Sequence, residues 1–355
     1  LASRHHQLAH SGIASGIASG IASGIAIALA ALFAYAPAHA QTPPPAPAGE
    51  VQRKRAKLEH IVFRAFPEAD AYSGIKRDIT QSQRLAIEQQ LPFKVHFNDL
   101  GKHELLVAFR GRRPVGLVYC RSEEAEWGLT ELAWHMTLDQ RVSGFNFLRG
   151  RNRHIKSLEL SSLATDLGGA GFPQVAKLLA IHEKKDHTQR DTSLVSIERT
   201  TLRSAAKVLV VLETVWSDQI ETLSDRANGF DLFPAASSFT RHTATVKVDH
   251  GGSKQDVQVK VLYAYARDKM FLGCVAWTTG SEGIEKHSLR WAIDRNMRVL
   301  VAQPTEDRRS VTLRKACSQL KGRKLSEPPT ANLPLSALAA VLGTVVPDLE
   351  KGGQR

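Results

Sequence analysis

Two stretches of the chain carry the same landmarks in the same order. Phe66-Pro67-Glu68-Ala69 recurs as Phe233-Pro234-Ala235-Ala236, 167 residues later. Residues 103–118 are matched by residues 259–275, with Gly116 against Gly273 at a spacing of 157. Trp134 ahead of Asp139-Gln140-Arg141-Val142 resembles Trp291 ahead of Asp294-Arg295-Asn296-Met297-Arg298-Val299. Residues 158–169 then match residues 311–322 without a gap at a spacing of 153, and residues 202–215 match 333–346 more loosely. Chance similarity does not usually keep such an order, so the chain is read as two related units. The drop from 167 to 157 has a physical meaning, because the second unit lacks a counterpart of residues 80–91. That segment reads as a helix, with Thr80-Gln81-Ser82-Gln83 as its capping box and Pro92 as its stop.

Within the first unit, residues 94–98 and 104–110 alternate like strands around a Gly101-Lys102 turn. Residues 115–121 and 132–138 continue a meander, and Asp139-Gln140-Arg141 turns the chain into residues 142–148. Helices are expected at 172–182 and at 202–216. In the latter, Leu202, Ala205, Ala206, Leu209, Leu212 and Val215 recur at helical spacing. Strands in a block followed by helices predict an α+β fold, each unit a mainly antiparallel sheet with flanking helices. No glycine-rich dinucleotide fingerprint follows a strand, which leaves a Rossmann reading without support.

Ahead of the repeat lies sequence of another kind. Residues 11–26 read Ser-Gly-Ile-Ala four times, an apolar run continues to Ala36, and Ala38-His39-Ala40 precedes Gln41. With Arg4 as the one charged residue upstream, residues 1–40 read as a secretory signal peptide cleaved near Ala40. The competing reading is an uncleaved anchor, since the apolar stretch approaches spanning length. Residues 41–57 are expected to be a Pro-rich linker, stiff and extended over residues 42–48. The two units then occupy 58–225 and 226–350, joined around 224–231.

A hydrophobic share of 43% and a charged share of 23% exclude a polytopic membrane protein, a collagen-like fibre and a wholly disordered chain. Three cysteines exclude a disulfide scaffold. The net charge is +12, and +11 once residues 1–40 are removed. A periplasmic or secreted protein of that charge suits an anionic membrane surface or an acidic partner protein. Nucleic acid is not an expected partner in that compartment, and Arg149-Gly150-Arg151-Asn152-Arg153 reads as a solvated loop.

These residues resemble the FMN-binding domain family, which includes the flavin-carrying C and G subunits of sodium-pumping quinone reductases and Rnf-type complexes, with related exported proteins. The family shows a Phe-Pro-x-Ala start, a helix like 80–91, a strand glycine like Gly116, a long hairpin like 132–148 and a segment like 163–169. Its signature, Ser-Gly-Ala-Thr-x-(Ser/Thr)-Ser, opens a helix. In many members the threonine carries FMN through a phosphoester attached by a flavin transferase. The resemblance covers residues 58–222 well and 230–350 weakly.

The signature maps onto Glu198-Arg199-Thr200-Thr201-Leu202-Arg203-Ser204. Thr201 falls on the acceptor, and Ser204 also agrees. Glu198, Arg199 and Thr200 replace the serine, glycine and alanine. A glycine lets the backbone approach a phosphate closely. Arg199 cannot adopt the same conformations cheaply, although its charge can itself bind phosphate, and Glu198 would repel it. The resemblance thus implies two tandem FMN-binding-like domains, with FMN held at Thr201 and with Arg199, Thr200 and Ser204 near the phosphate. It also implies membrane redox subunits and a flavin transferase as partners. The same residues read without a ligand make Thr200-Thr201 a helix N-cap. The second unit has Leu333-Pro334-Leu335-Ser336 at the corresponding helix start, so no covalent flavin is expected there. Two functions remain: an electron-transfer component, or a non-catalytic exported interaction module that kept the fold and lost the flavin.

Other constellations are weaker. His182-Glu183-Lys184-Lys185-Asp186-His187 has one residue too many for a zinc-protease helix, because histidines at i and i+5 do not share a face. No Gly-x-Ser-x-Gly elbow supports a hydrolase. Trp127, Trp134, Trp216, Trp277 and Trp291 are read as core before flavin-stacking groups. Cys120 and Cys274 fit either a disulfide or buried thiols.

Overall fold

A computed structural model describes residues 48–95, 101–250, 253–280, 289–305 and 311–325, together with 342, 343 and 346. The first unit begins with α1 (Ala48–Ala65) and the antiparallel strand β1 (Ala71–Ile79). Helix α2 (Gln81–Gln90) follows, then β2 (Gly101–Arg110), β3 (Arg113–Ala125), β4 (Gly128–Met136) and β5 (Val142–Arg149). Helices α3 (Ile155–Leu158), α4 (Ser162–Leu167), α5 (Phe172–Lys184) and the long α6 (Thr192–Leu232) complete it. The second unit runs through β6 (Ser238–His250), β7 (Ser253–Tyr265), β8 (Phe271–Gly280), β9 (Leu289–Asp294), β10 (Val299–Pro304) and α7 (Val311–Ser318). Each unit is a five-stranded antiparallel meander with helices, in the order β1-β2-β3-β4-β5 and β10-β9-β8-β7-β6. The α+β class and the two-unit organisation expected from the repeat are both present.

The repeat is visible atom by atom. Ala69 N–H donates to Phe66 O and Ala236 N–H to Phe233 O, each at 3.0 Å. A bulge follows Ala108 where β2 pairs β3, and another follows Ala264 where β7 pairs β8. The turn after β4 sets Gln140 at φ 58, and the turn after β9 sets Met297 at φ 59. Gly169 N–H donates to Val142 O and Gly322 N–H to Val299 O, both at 2.7 Å. The guanidinium of Arg141 donates to Gly169 O, and that of Arg298 to Gly322 O. Trp134 and Trp291 are both fully buried. The second unit passes from β6 to β7 by a hairpin with His250 paired to Ser253, so the helix of residues 80–91 has no place there. In the first unit that helix forms as expected, its Thr80 hydroxyl accepting from Gln83 N–H in a full capping box.

Several local expectations are corrected. Gly101 and Lys102 are the first residues of β2, opposite Ile79 and Asp78, rather than a turn. The partner of β2 is β1, an edge strand whose Lys76-Arg77-Asp78 run hides its alternation. Lys94 and Val95 lie outside any strand, and 96–98 fall outside the described residues. Residues 48–57, assigned to the linker, are helical, since Glu, Gln, Arg, Lys and Ala there favour a helix once the prolines end. The helix of 202–216 is the middle of α6, which also runs unbroken through 224–231, the expected junction. Gly229 does not stop it, because a side chain there would meet the Phe239 ring at 2.6 Å and the glycine serves close packing.

Helix α6 therefore belongs to both units. Its first half covers one face of the first sheet, where Leu202, Ala205, Leu209, Leu212 and Trp216 join Leu105, Leu117, Tyr119 and Trp134 in the largest core. Its end plays the part in the second unit that α1 plays in the first. Ile61, Val62 and Phe66 pack on Leu106, Ala108, Val118 and Ala133, while Phe233 and Ala236 pack on Leu262, Ala264 and Val275. Arg77 ties β1 to α6, donating to Val215 O at 2.6 Å and to both carboxylate oxygens of Asp218. Among the described residues no helix is long and apolar enough to cross a membrane.

Candidate functional site

The four residues singled out at the signature lie on α6, well inside the helix. Its N-cap is Asp191, whose carboxylate accepts from Ser193 N–H, and Thr201 sits more than two turns further on. The expected Thr200-Thr201 cap is thus corrected: the apolar spacing that suggested a helix from 202 extends back through Val195 and Ile197, both buried. At about 100° per residue, consecutive positions face different ways. Arg199 is exposed and Thr200 half-buried, while Thr201 and Ser204 are completely buried. The Thr201 hydroxyl donates to Ile197 O at 2.8 Å. Glu198 turns away toward α5, accepting from Arg190 at 2.7 Å and lying 3.2 Å from His182 Nε2.

Ser204 joins a buried polar network between α6 and the first sheet. Trp134 Nε1 donates to Ser204 Oγ at 2.9 Å, and Ser204 Oγ donates to Glu123 Oε1 at 3.0 Å. Lys207 Nζ donates to Glu123 Oε2 at 2.8 Å, and Arg121 Nε to Glu123 Oε1 at 3.4 Å. Two buried cations thus share one buried carboxylate. Burial lowers the proton affinity of both Lys207 and Arg121, with Glu123 acting the other way. Tyr119 places its hydroxyl 2.9 Å from His103 Nδ1, and burial lowers the pKa of His103.

This network floors a cleft of about 730 Å³, whose walls include Phe93, His103, Glu124, Arg199, Thr200 and Arg203. Arg199 and Thr200 line it, whereas Thr201 and Ser204 lie behind its wall. The guanidinium of Arg203 stacks over Phe93 at 5.4 Å and bonds Glu183 at 2.8 Å. No tryptophan lines the cleft. Trp134, Trp216 and Trp291 are core, Trp127 is exposed beyond β3, and Trp277 carries Lys260 Nζ over its ring at 4.5 Å. Glu123, Glu124 and Glu126 line the cleft beside Arg121, Arg199, Arg203 and Lys207, so charges of both signs surround it. Covalent FMN does not fit at Thr201. A phosphoryl group on its oxygen would need space inside the packed core, and the hydroxyl already serves the helix backbone.

The other candidates are placed as follows. His182 and His187 stack at 4.6 Å, and His187 lies beyond the end of α5 with its Nε2 at 2.8 Å from His182 O. None of Cys120, Cys274 and Cys317 is in a disulfide. Sequence reasoning overlooked Arg121, Glu123 and Lys207. A signal existed: Lys207 interrupts the apolar stripe of α6, and Arg121 and Glu123 share a strand face beside an apolar run. Compared with known proteins, the chain matches no protein-family model and no curated sequence.

Proposed function

We propose that the chain is a non-catalytic, exported interaction module made of two FMN-binding-like domains that keep their fold without a covalent flavin. The observation that supports this reading is the position of Thr201: fully buried, inside a continuous helix, its hydroxyl bonded to Ile197 O. A flavin transferase needs an exposed hydroxyl on a backbone that can approach phosphate, and the chain offers Arg199 where a glycine would permit this. Export is read from residues 1–40. The two sheets, tied by one helix, then act as a scaffold for partners in the periplasm or beyond the cell.

The test is expression of the full chain with its export segment alongside a flavin transferase. The purified protein should be colourless and give no fluorescent band after denaturing electrophoresis. Titration with FMN should leave flavin fluorescence unchanged. A fluorescent band that Thr201→Ala abolishes would overturn the proposal in favour of an electron-transfer component working with membrane redox subunits. Saturable quenching of free FMN, lost in Arg199→Ser, would overturn it in favour of reversible flavin binding in the cleft.

A further inference from the structure

The turn between β2 and β3 and the turn between β7 and β8 both reach one cleft of about 810 Å³ beside the end of α6. Arg110, Arg112 and Arg113 enter it from the first turn, Arg267 from the second, and Phe230 and Asp231 from α6. Arg113 is held by a two-pronged bond to Asp231, at 2.7 and 3.0 Å. Arg112 makes one long bond, 3.4 Å, to Ser237 O. Arg110 and Arg267 are exposed and have no carboxylate in ion-pairing range among the described residues. Four guanidiniums thus line the cleft against one carboxylate, and that carboxylate is committed to Arg113. Glu68 and Asp70 lie close by on the first unit, where Glu68 acts on Arg113 and Asp70 accepts from Gly111 N–H.

We propose that this cleft binds an acidic segment of a partner protein, a stretch of chain with several neighbouring Asp or Glu side chains. Guanidinium groups present paired donors that match a carboxylate's two oxygens. Cations of one sign gathered around a concave recess raise a positive potential toward whatever enters. The volume lies in the range of ligand pockets, about 300–1,000 Å³, enough for a few side chains. A membrane surface is the poorer occupant. Peripheral membrane binding pairs basic groups with apolar ones that insert, and none of the large exposed apolar side chains lines this recess. Because the arginines come from both units, the partner would bridge them. This inference deepens the interaction-module reading and rests on it.

A fluorescein-labelled hexaglutamate peptide serves as the probe, with fluorescence anisotropy at low salt as the readout. Arg110→Ser with Arg267→Ser removes the two unpaired guanidiniums at exposed positions, and circular dichroism checks the fold. Binding should weaken by about tenfold or more in that double variant. It should change little in Arg149→Ser with Arg151→Ser, which deletes the same charge elsewhere. An equal loss in both variants, no measurable peptide binding by the unaltered protein, or binding to phosphatidylserine vesicles alone would each overturn the proposal. Visible absorbance of the same sample reports flavin separately, so a yellow protein defeats the flavin-free reading without altering the peptide result.

Discussion

The ring of Phe66 occupies the space in which a side chain on Gly116 would stand, and the same relation holds between Phe233 and Gly273. In both units a Phe-Pro turn leaves a helix, and its ring lies across the second strand-to-strand step of the sheet. At Gly273 the backbone adds a second demand, since its φ is +148 and a Cβ there would stand 2.3 Å from Ile293 O as well as 2.6 Å from Phe233 Cε1. Gly116→Ala is expected to cost about 1–3 kcal/mol through overpacking. Gly273→Ala should cost more, because strain adds to the clash. Urea unfolding of both variants checks the order. Gly116→Ala combined with Phe66→Leu should cost less than the two singles added together, by about 1 kcal/mol, as neighbours sharing one space are coupled.

Glu123 accepts from both Lys207 and Arg121 in the buried network. Glu123→Gln removes a buried charge to which both cations are hydrogen-bonded and should destabilise the protein by about 3–5 kcal/mol. Glu123→Gln with Lys207→Met should recover part of the loss, since one of those cations goes too. Denaturant midpoints of the two variants measure it. An equal or larger loss in the pair would show that Lys207 contributes packing rather than charge.

His135 is buried with its Nε2 unpartnered, and burial together with Arg64 lowers its pKa to about 4. A base whose folded pKa lies below its unfolded value favours folding while neutral. That contribution is complete above pH about 6.5 and is lost as the pH falls toward 4, because the unfolded chain then binds the proton first. About 3 kcal/mol of stability should disappear across that window. His135→Phe should flatten this part of a stability–pH curve measured by chemical denaturation.

None of the three cysteines is in a disulfide, and burial raises the thiol pKa of Cys120 and Cys317 to about 11 each. At neutral pH a thiol-reactive chromophore should label the folded protein slowly, since thiolate is the reacting form. In denaturant, without reductant, all three thiols should titrate at once. A count of one would instead reveal a disulfide.

The duplication, the α+β class and most of the strands were legible because they rest on short-range rules. The apolar runs along 104–110 and 115–121, the Thr80–Gln83 capping box and the turn at Asp139-Gln140-Arg141 each depend on residues a few positions apart. Pairing of β1 with β2 was harder to read, since the edge strand exposes its charged residues and shows little alternation. The site divided along the same line. A threonine, an arginine and a serine at set spacings can be found in a sequence, but their environment cannot. Thr201 turns into the core and Arg199 into solvent because the first sheet packs on one side of α6. Lys207 meets Glu123 from 84 residues away only when that packing is complete. Backbone periodicity is a local property written in the order of residues, whereas which face is buried, and which charges then must pair, is set by the surface that arrives from elsewhere in the chain.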